Sequence, residues 1–153
     1  MAEKVEKPDP INMASLAGLI GYNLRCAQVT VFQHFSKTIG EAEISPPQYG
    51  ALVLINANPG ISQSAIASAL RFDRSTLVQI IDRLEDRKLV VREVSAADRR
   101  SHALKLTDLG HSLLVKLNFL VDKHEQHMTR HLSGKERHTL MELLARVYKE
   151  AED

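Results

Sequence analysis

The chain is poor in the features that mark a membrane span, a disulfide framework or a catalytic centre. It contains no run of about 18 apolar residues, so no helical membrane span is expected. It has one cysteine, Cys26, which cannot close an intramolecular disulfide and suits a reducing cytoplasm. The first residues mix charges of both signs and lack the apolar core of a secretory signal. No phosphate-binding glycine loop, no Cys–His pair at a plausible spacing and no nucleophile elbow is found, so neither an enzyme nor a cofactor is expected. The net charge of +1 argues neither for nor against a nucleic-acid partner.

What is present is ordinary globular material: 44% hydrophobic and 25% charged residues over 153 positions, enough for one real core. Residues 1–10 are charged and carry two prolines, and read as a flexible tail. From Ile11 to about Lys37 the residues Leu16, Ile20, Leu24, Ala27 and Val31 recur at three- and four-residue steps. That predicts one long helix with an apolar stripe, stopped by Gly40. Ser45-Pro46-Pro47-Gln48 is a capping box opening a second helix that Asn58-Pro59-Gly60 ends. Ser62 caps a short third helix, and Asp73 caps a fourth that runs to about Arg87. Its residues Leu77, Ile80, Ile81 and Leu84 trace one buried face.

Two β-prone runs follow, Leu89–Val94 and His102–Leu106, on either side of the polar stretch from Ser95 to Ser101. They predict a hairpin with a basic tip. Thr107 caps a long helix to about His131 with Leu109, Leu113, Leu114, Leu117, Leu120 and Val121 apolar. Ser133-Gly134-Lys135-Glu136 is a second capping box before a last helix. The fold class is therefore mainly α with a small β-hairpin wing: a winged helix-turn-helix over 45–106, flanked by dimerisation helices at 11–44 and 107–153. Long terminal helices with surplus apolar surface usually meet a second copy.

In such a module the fourth helix enters the major groove by its N-terminal half. Ser75, Gln79, Asp82 and Asp86 lie opposite Leu77, with Thr76 and Arg83 to one side. Ser75, Thr76 and Gln79 suit base edges, glutamine adenine in particular. Arg74 and Arg83 suit phosphate or guanine. Ser62 and Gln63 offer backbone N–H groups and a hydroxyl to a phosphate. At the hairpin tip Arg99 and Arg100 suit a narrow minor groove, with Asp98 bracing the loop by pairing with one of them. From Arg71 to Lys105 there are nine basic residues against six acids, so the footprint must come from where charges point, not from bulk basicity. Each of these side chains taken alone also reads as a solvated surface group.

The run Asp73-Arg74-Ser75-Thr76-Leu77-Val78-Gln79, then Asp82-Arg83-Leu84-Glu85, Leu89-Val90, Arg92, Asp98-Arg99-Arg100 and Leu106-Thr107-Asp108-Leu109-Gly110 resembles the MarR family at matching spacings. The resemblance implies a triangular homodimer whose first and last helices intertwine, and two winged modules on a pseudo-palindromic double-stranded operator. It places Ser75, Thr76 and Gln79 on the recognition helix and Arg99 and Arg100 on the wing. Two departures stand out. Members usually carry glycine, at a position that often needs positive φ, where this chain has Lys88, and often a basic residue where Gln79 stands.

The resemblance further implies release from DNA by a small molecule, commonly an aromatic acid or an acyl-CoA thioester, bound between the dimer helices and the winged module. Candidate walls by helix position are Arg25, Val29, Phe32, His34, Phe35, Tyr49 and Val53; each also reads as helix packing. Cys26 offers an alternative, since peroxide-sensing relatives carry a reactive cysteine in the first helix, but with apolar neighbours where this chain has Arg25. His124, His127 and His131 share a helical face. They read either as a solvated histidine-rich face or, less readily, as part of a zinc site, so no metal is expected. A helical dimer that binds only protein is the remaining alternative.

Overall fold

A computed structural model of the chain describes residues 11–94 and 102–149. Among these residues six helices, α1 (Ile20–Ile39), α2 (Pro46–Ala57), α3 (Gln63–Leu70), α4 (Arg74–Asp86), α5 (Asp108–Met128) and α6 (Gly134–Lys149), are interleaved with strands β1 (Ile61–Ser62), β2 (Val90–Val94) and β3 (His102–Leu106). No described helix is long and apolar enough to cross a membrane.

Local chemistry starts most of the helices. Ser45 and Gln48 form a reciprocal capping box, the Ser45 N–H donating to Gln48 Oε1 at 2.8 Å and the Gln48 N–H to Ser45 Oγ at 3.4 Å. Ser62, Asp73, Thr107 and Ser133 each accept the backbone N–H three residues on, from Ala65, Thr76, Gly110 and Glu136. Each satisfies a donor that the first turn otherwise leaves unpaired. The α4 stripe falls as its periodicity predicts: Leu77, Ile81 and Leu84 are buried, beside Leu52, Ile55 and Ile66 from α2 and α3, Val90 and Leu104 from the sheet and Leu117 from α5.

Three boundaries differ from the sequence expectation. The first helix begins at Ile20, not Ile11. Ala14 takes φ 46° and Leu19 is extended, leaving only a 3-10 turn at Leu16–Gly18. The Asn23 side chain donates to the Ala17 and Leu19 carbonyls and fixes that break. The fifth helix stops at Met128 rather than near His131. There Thr129 Oγ1 donates to the Glu125 carbonyl and an Arg130 guanidinium nitrogen to that of His127, so side chains take carbonyls of the last turn. Finally, Ile61–Ser62, expected only as a lead-in to α3, pairs as a third strand with Leu104 and Ala103 of β3, giving an antiparallel sheet in the order β1-β3-β2. Two residues carry no periodicity from which a strand could be read.

The turn from α4 into the sheet is the tightest joint. Lys88 sits at φ 58°, the left-handed conformation that disfavours residues with a Cβ. Its N–H donates to the Glu85 carbonyl at 2.7 Å, and its own carbonyl accepts from Thr107 Oγ1 at 2.6 Å. Because the backbone is held from both sides, Lys88→Gly relieves strain without moving the turn. The expected gain is about 1 kcal/mol, which differential scanning calorimetry reads as a Tm higher by roughly 2–4 °C. A lower Tm would mean that the turn tolerates lysine without strain.

Candidate nucleic-acid interface and effector region

The exposed edge of α4 carries Arg74, Ser75, Gln79 and Arg83, with Thr76 half-buried. Asp73 organises its first turn. The Ser75 hydroxyl donates to Asp73 Oδ1 at 2.5 Å, the Thr76 hydroxyl to Oδ2 at 2.6 Å, and the Thr76 N–H to Oδ1 at 2.8 Å. These bonds, the Ser75 hydroxyl first, hold the Asp73 carboxyl well below the usual carboxylate range. The two hydroxyls expected to meet base edges have therefore committed their protons, and face outward only as acceptors.

At the start of α3, Ser62 Oγ accepts the Ala65 N–H and lies 3.0 Å from Ser64 Oγ; first-turn N–H groups of a helix suit a phosphate. Gln63 behaves differently from its neighbours. Its Oε1 accepts from Arg92 Nε at 3.4 Å, and its Nε2 is buried with no hydrogen-bond partner. Its side chain thus turns into the protein, leaving only its backbone to face a duplex.

Arg92, in β2, is the residue whose role the sequence did not disclose. Its guanidinium reaches Asp82 at 2.5 Å and also Glu85, while its backbone N–H donates to Glu85 Oε1 at 3.3 Å. Its side chain is only 17% exposed. One cation thereby ties the base of the β2–β3 hairpin to the middle of α4 and to the first residue of α3. The acids lie seven and ten residues upstream across a chain reversal, so no periodic pattern signals the pairing. The strands stay in register from Val90↔Leu106 out to Val94↔His102. The tip residues Asp98, Arg99 and Arg100 lie outside the described residues.

Of the suggested effector walls, the fold brings three together. His34 and Phe35 meet His124, and Tyr49 joins them through Phe35: the Phe35 ring meets Tyr49 at 5.9 Å and stands edge-on to His124 at 5.5 Å. Burial raises the Tyr49 pKa, helped by Asp122 and Glu125, so the phenol stays neutral and donates to Asn118 Oδ1 at 3.0 Å. Arg25, Val29, Phe32 and Val53 are exposed. Phe32 instead borders an open apolar groove of about 730 Å³ formed by Ile20, Leu24 and Val31 of α1 with Leu140 and Leu144 of α6. Cys26 is exposed one turn from Tyr22, whose pKa is raised chiefly by a hydrogen bond with that thiol.

His124 and His127 of α5, with His131 beyond its end, do not form one solvated face. His124 is buried at 2% exposure, with its Nδ1 2.7 Å from His34 Nδ1. His127 stacks on His34 with ring centroids 4.2 Å apart, and His131 is exposed. Among the described residues no group of three or more His, Cys, Asp or Glu is placed to hold a metal ion. His34 lies ninety positions from His124, a contact that α5's own spacing cannot foretell.

Burial, then the neighbouring His34, lowers the His124 pKa from its ordinary 6.5, against an opposing pull from Glu125. Desolvation, then Arg130 and His34, lowers that of His127. The folded state therefore binds fewer protons than the unfolded chain once pH drops below about 6.5, and stability falls with pH there. Thermal melts between pH 7.5 and 5.5 should show Tm declining with acidity, with His124→Leu giving a flatter profile. An equally steep profile in that variant would remove His124 as the source.

Residues 43–101 match the family model described as MarR family. A putative transcriptional regulatory protein for the hcr operon of Thauera aromatica is 40% identical over 137 residues, covering 89% of this chain and 82% of that protein. Among solved structures, the transcriptional repressor CouR bound to a 23-mer DNA duplex superposes with a TM-score of 0.86 at 38% identity, over 92% of this chain and 99% of that one. CouR bound to p-coumaroyl-CoA matches over the same shares at 0.85 and 37%. The PcaV regulator of Streptomyces coelicolor with its natural ligand matches at 0.85 and 27%, again over 92% and 99%. With its capped reading helix, its three-stranded wing base and these relatives, the chain belongs to the MarR family of winged-helix, DNA-binding transcriptional regulators.

Proposed function

We propose that the chain works as a homodimeric repressor that holds a pseudo-palindromic operator and leaves it when an aromatic acid or its CoA thioester binds. The observation that carries this reading is that CouR is similar to this chain over nearly its whole length both on a DNA duplex and with p-coumaroyl-CoA. In this reading residues 45–106 read DNA and 11–44 and 107–153 join the two copies; residues 1–10 lie outside the described residues. Support for the dimer comes from α6, which buries none of its residues although Leu140, Leu143, Leu144 and Val147 form a stripe at helical spacing. The groove it shares with α1 awaits a matching apolar surface.

The DNA contacts are Arg74, Gln79 and Arg83 on α4, the start of α3 at Ser62 and Gln63, and Arg99 and Arg100 on the wing. Ser75 and Thr76 contribute acceptors. The effector region is the His34, Phe35 and Tyr49 cluster, where α1, α2 and α5 meet. A ligand seated there must favour a spacing of the two winged modules that does not fit DNA, because equal affinity for both states shifts nothing.

The test is fluorescence anisotropy with a duplex from the region upstream of the chain's own gene. Affinity should fall steeply with salt as several phosphates are neutralised. Saturating p-coumaroyl-CoA, or a free aromatic acid, should weaken binding by about a hundredfold, equivalent to roughly 2.7 kcal/mol of coupling. Hydrogen peroxide should leave binding unchanged in both the wild-type chain and Cys26→Ser. Peroxide-driven release that requires Cys26 would replace the small-molecule reading with a thiol one.

A further inference from the structure

We propose that Val78 is a specificity-determining residue that packs its methyl groups against the 5-methyl group of a thymine in the major groove. The proposal rests on the reading of α4 as the recognition helix.

Leu77, Ile81 and Leu84 point into the core, and Ile80 is partly buried against it. Val78 is the one large apolar side chain of α4 left open, at 41% exposure. Valine is a weak helix former, and on a solvated helix face it offers nothing that a polar residue would not. Here its surroundings give it a task. With Arg74 and Leu77 it forms one wall of a hollow of about 230 Å³, faced by Gln63 and Ser64 at the start of α3. The valine thus stands at the edge of a recess between the two helices of the reading unit, one residue before Gln79.

The hydrogen bonds of the first turn sharpen the assignment. Asp73 takes the hydroxyl protons of both Ser75 and Thr76, and the Gln63 amide faces inward on Arg92. A base pair brought to this part of α4 therefore meets few free donors: the Gln79 amide and the Arg74 guanidinium. Beside them lie two exposed methyl groups on a side chain stiff at χ1. The major groove has one apolar feature, the thymine 5-methyl, which distinguishes T·A from the other pairs. A fixed methyl surface beside an amide suits a thymine adjacent to the base that Gln79 reads.

The test uses duplexes enriched from a random pool by the full-length wild-type chain. Each thymine is then replaced singly by uracil, which deletes only the methyl group. At one thymine in each half-site the wild type should lose about fourfold in affinity, the worth of one buried methyl. Val78→Ala, with an unchanged circular-dichroism melt, should bind the thymine and uracil duplexes equally at that position and keep any methyl dependence elsewhere. Val78→Thr retains the branched shape with one methyl fewer and should fall between them. Undiminished methyl dependence in Val78→Ala, or no thymine to which the wild type responds, overturns the proposal. Failure of the underlying reading has a different signature: no sequence is enriched at all, and the proposal falls with it.

Discussion

Gly110→Ala should lower Tm by roughly 6–12 °C, the equivalent of about 3 kcal/mol for a chain of this size. A Cβ built at Gly110 would lie 2.1 Å from the Leu89 carbonyl oxygen and 3.1 Å from its carbonyl carbon. The obstacle is backbone, so no rotamer change relieves it. Nor can the backbone retreat easily. The Leu89 carbonyl accepts the Thr107 N–H at 3.1 Å, and Leu89 itself is buried at 2% exposure. The added carbon must push the start of α5 away from the α4–β2 turn, the joint between the winged module and the helices proposed to join two copies. Loss of DNA affinity should accompany the loss of stability, since the angle between the two parts changes. His111→Ala, one residue on and exposed, is the control, with an expected change within about 0.5 kcal/mol. A Gly110→Ala variant melting with the wild type would mean that α5 is not seated as described.

The second large effect is expected at Arg92. Arg92→Ala removes the guanidinium that links β2 to Asp82, Glu85 and Gln63, and leaves only the backbone N–H of residue 92 on Glu85. The stability cost should be modest, about 1–2 kcal/mol, because Asp82 and Glu85 are 52% and 39% exposed and water can solvate them once they are freed. The cost to DNA binding should be larger than stability alone predicts. With the base of the hairpin unpinned, the wing must be ordered at the moment of binding, and two acids beside the reading edge lose their neutralising partner. An affinity loss on the order of tenfold or more, about 1.4 kcal/mol, is expected. Arg92→Lys keeps the charge but not the planar fork that spans two carboxylates, and should recover only part of it. Isothermal titration with an enriched duplex separates these outcomes. Equal affinities for wild type and Arg92→Ala would show that wing and helix act independently.

How far the sequence reached follows from the range of each interaction. Every cap it predicted, at Ser45, Ser62, Asp73, Thr107 and Ser133, acts within three residues and is present. The α4 core stripe is periodic and equally readable, and the positive φ at Lys88 agrees with what the family resemblance implied there. What escaped was non-local or too short to carry a period: the Arg92 clamp, the burial of His124 against His34, and the two-residue β1. The break at Ala14 and Leu19 escaped because Leu16, Ile20 and Leu24 keep helical spacing across it; an apolar rhythm does not report a backbone kink. Gln63 illustrates the same limit in reverse. Its place beside Ser62 reads as a helix start facing solvent, yet its side-chain oxygen points inward to accept from Arg92, 29 residues away.

The claim on which the rest depends is that the edge of α4 and the hairpin tip address one duplex. A chemical nuclease tethered to the tip tests this directly. A full-length chain carrying Cys26→Ser and Ala97→Cys, labelled with iron–EDTA, is bound to an enriched duplex whose bases protected by α4 have been mapped by methylation interference. The account predicts cleavage in the minor groove immediately flanking each protected half-site, symmetric about the operator centre. Tight binding with no cleavage, or with cleavage scattered along the duplex, would contradict it.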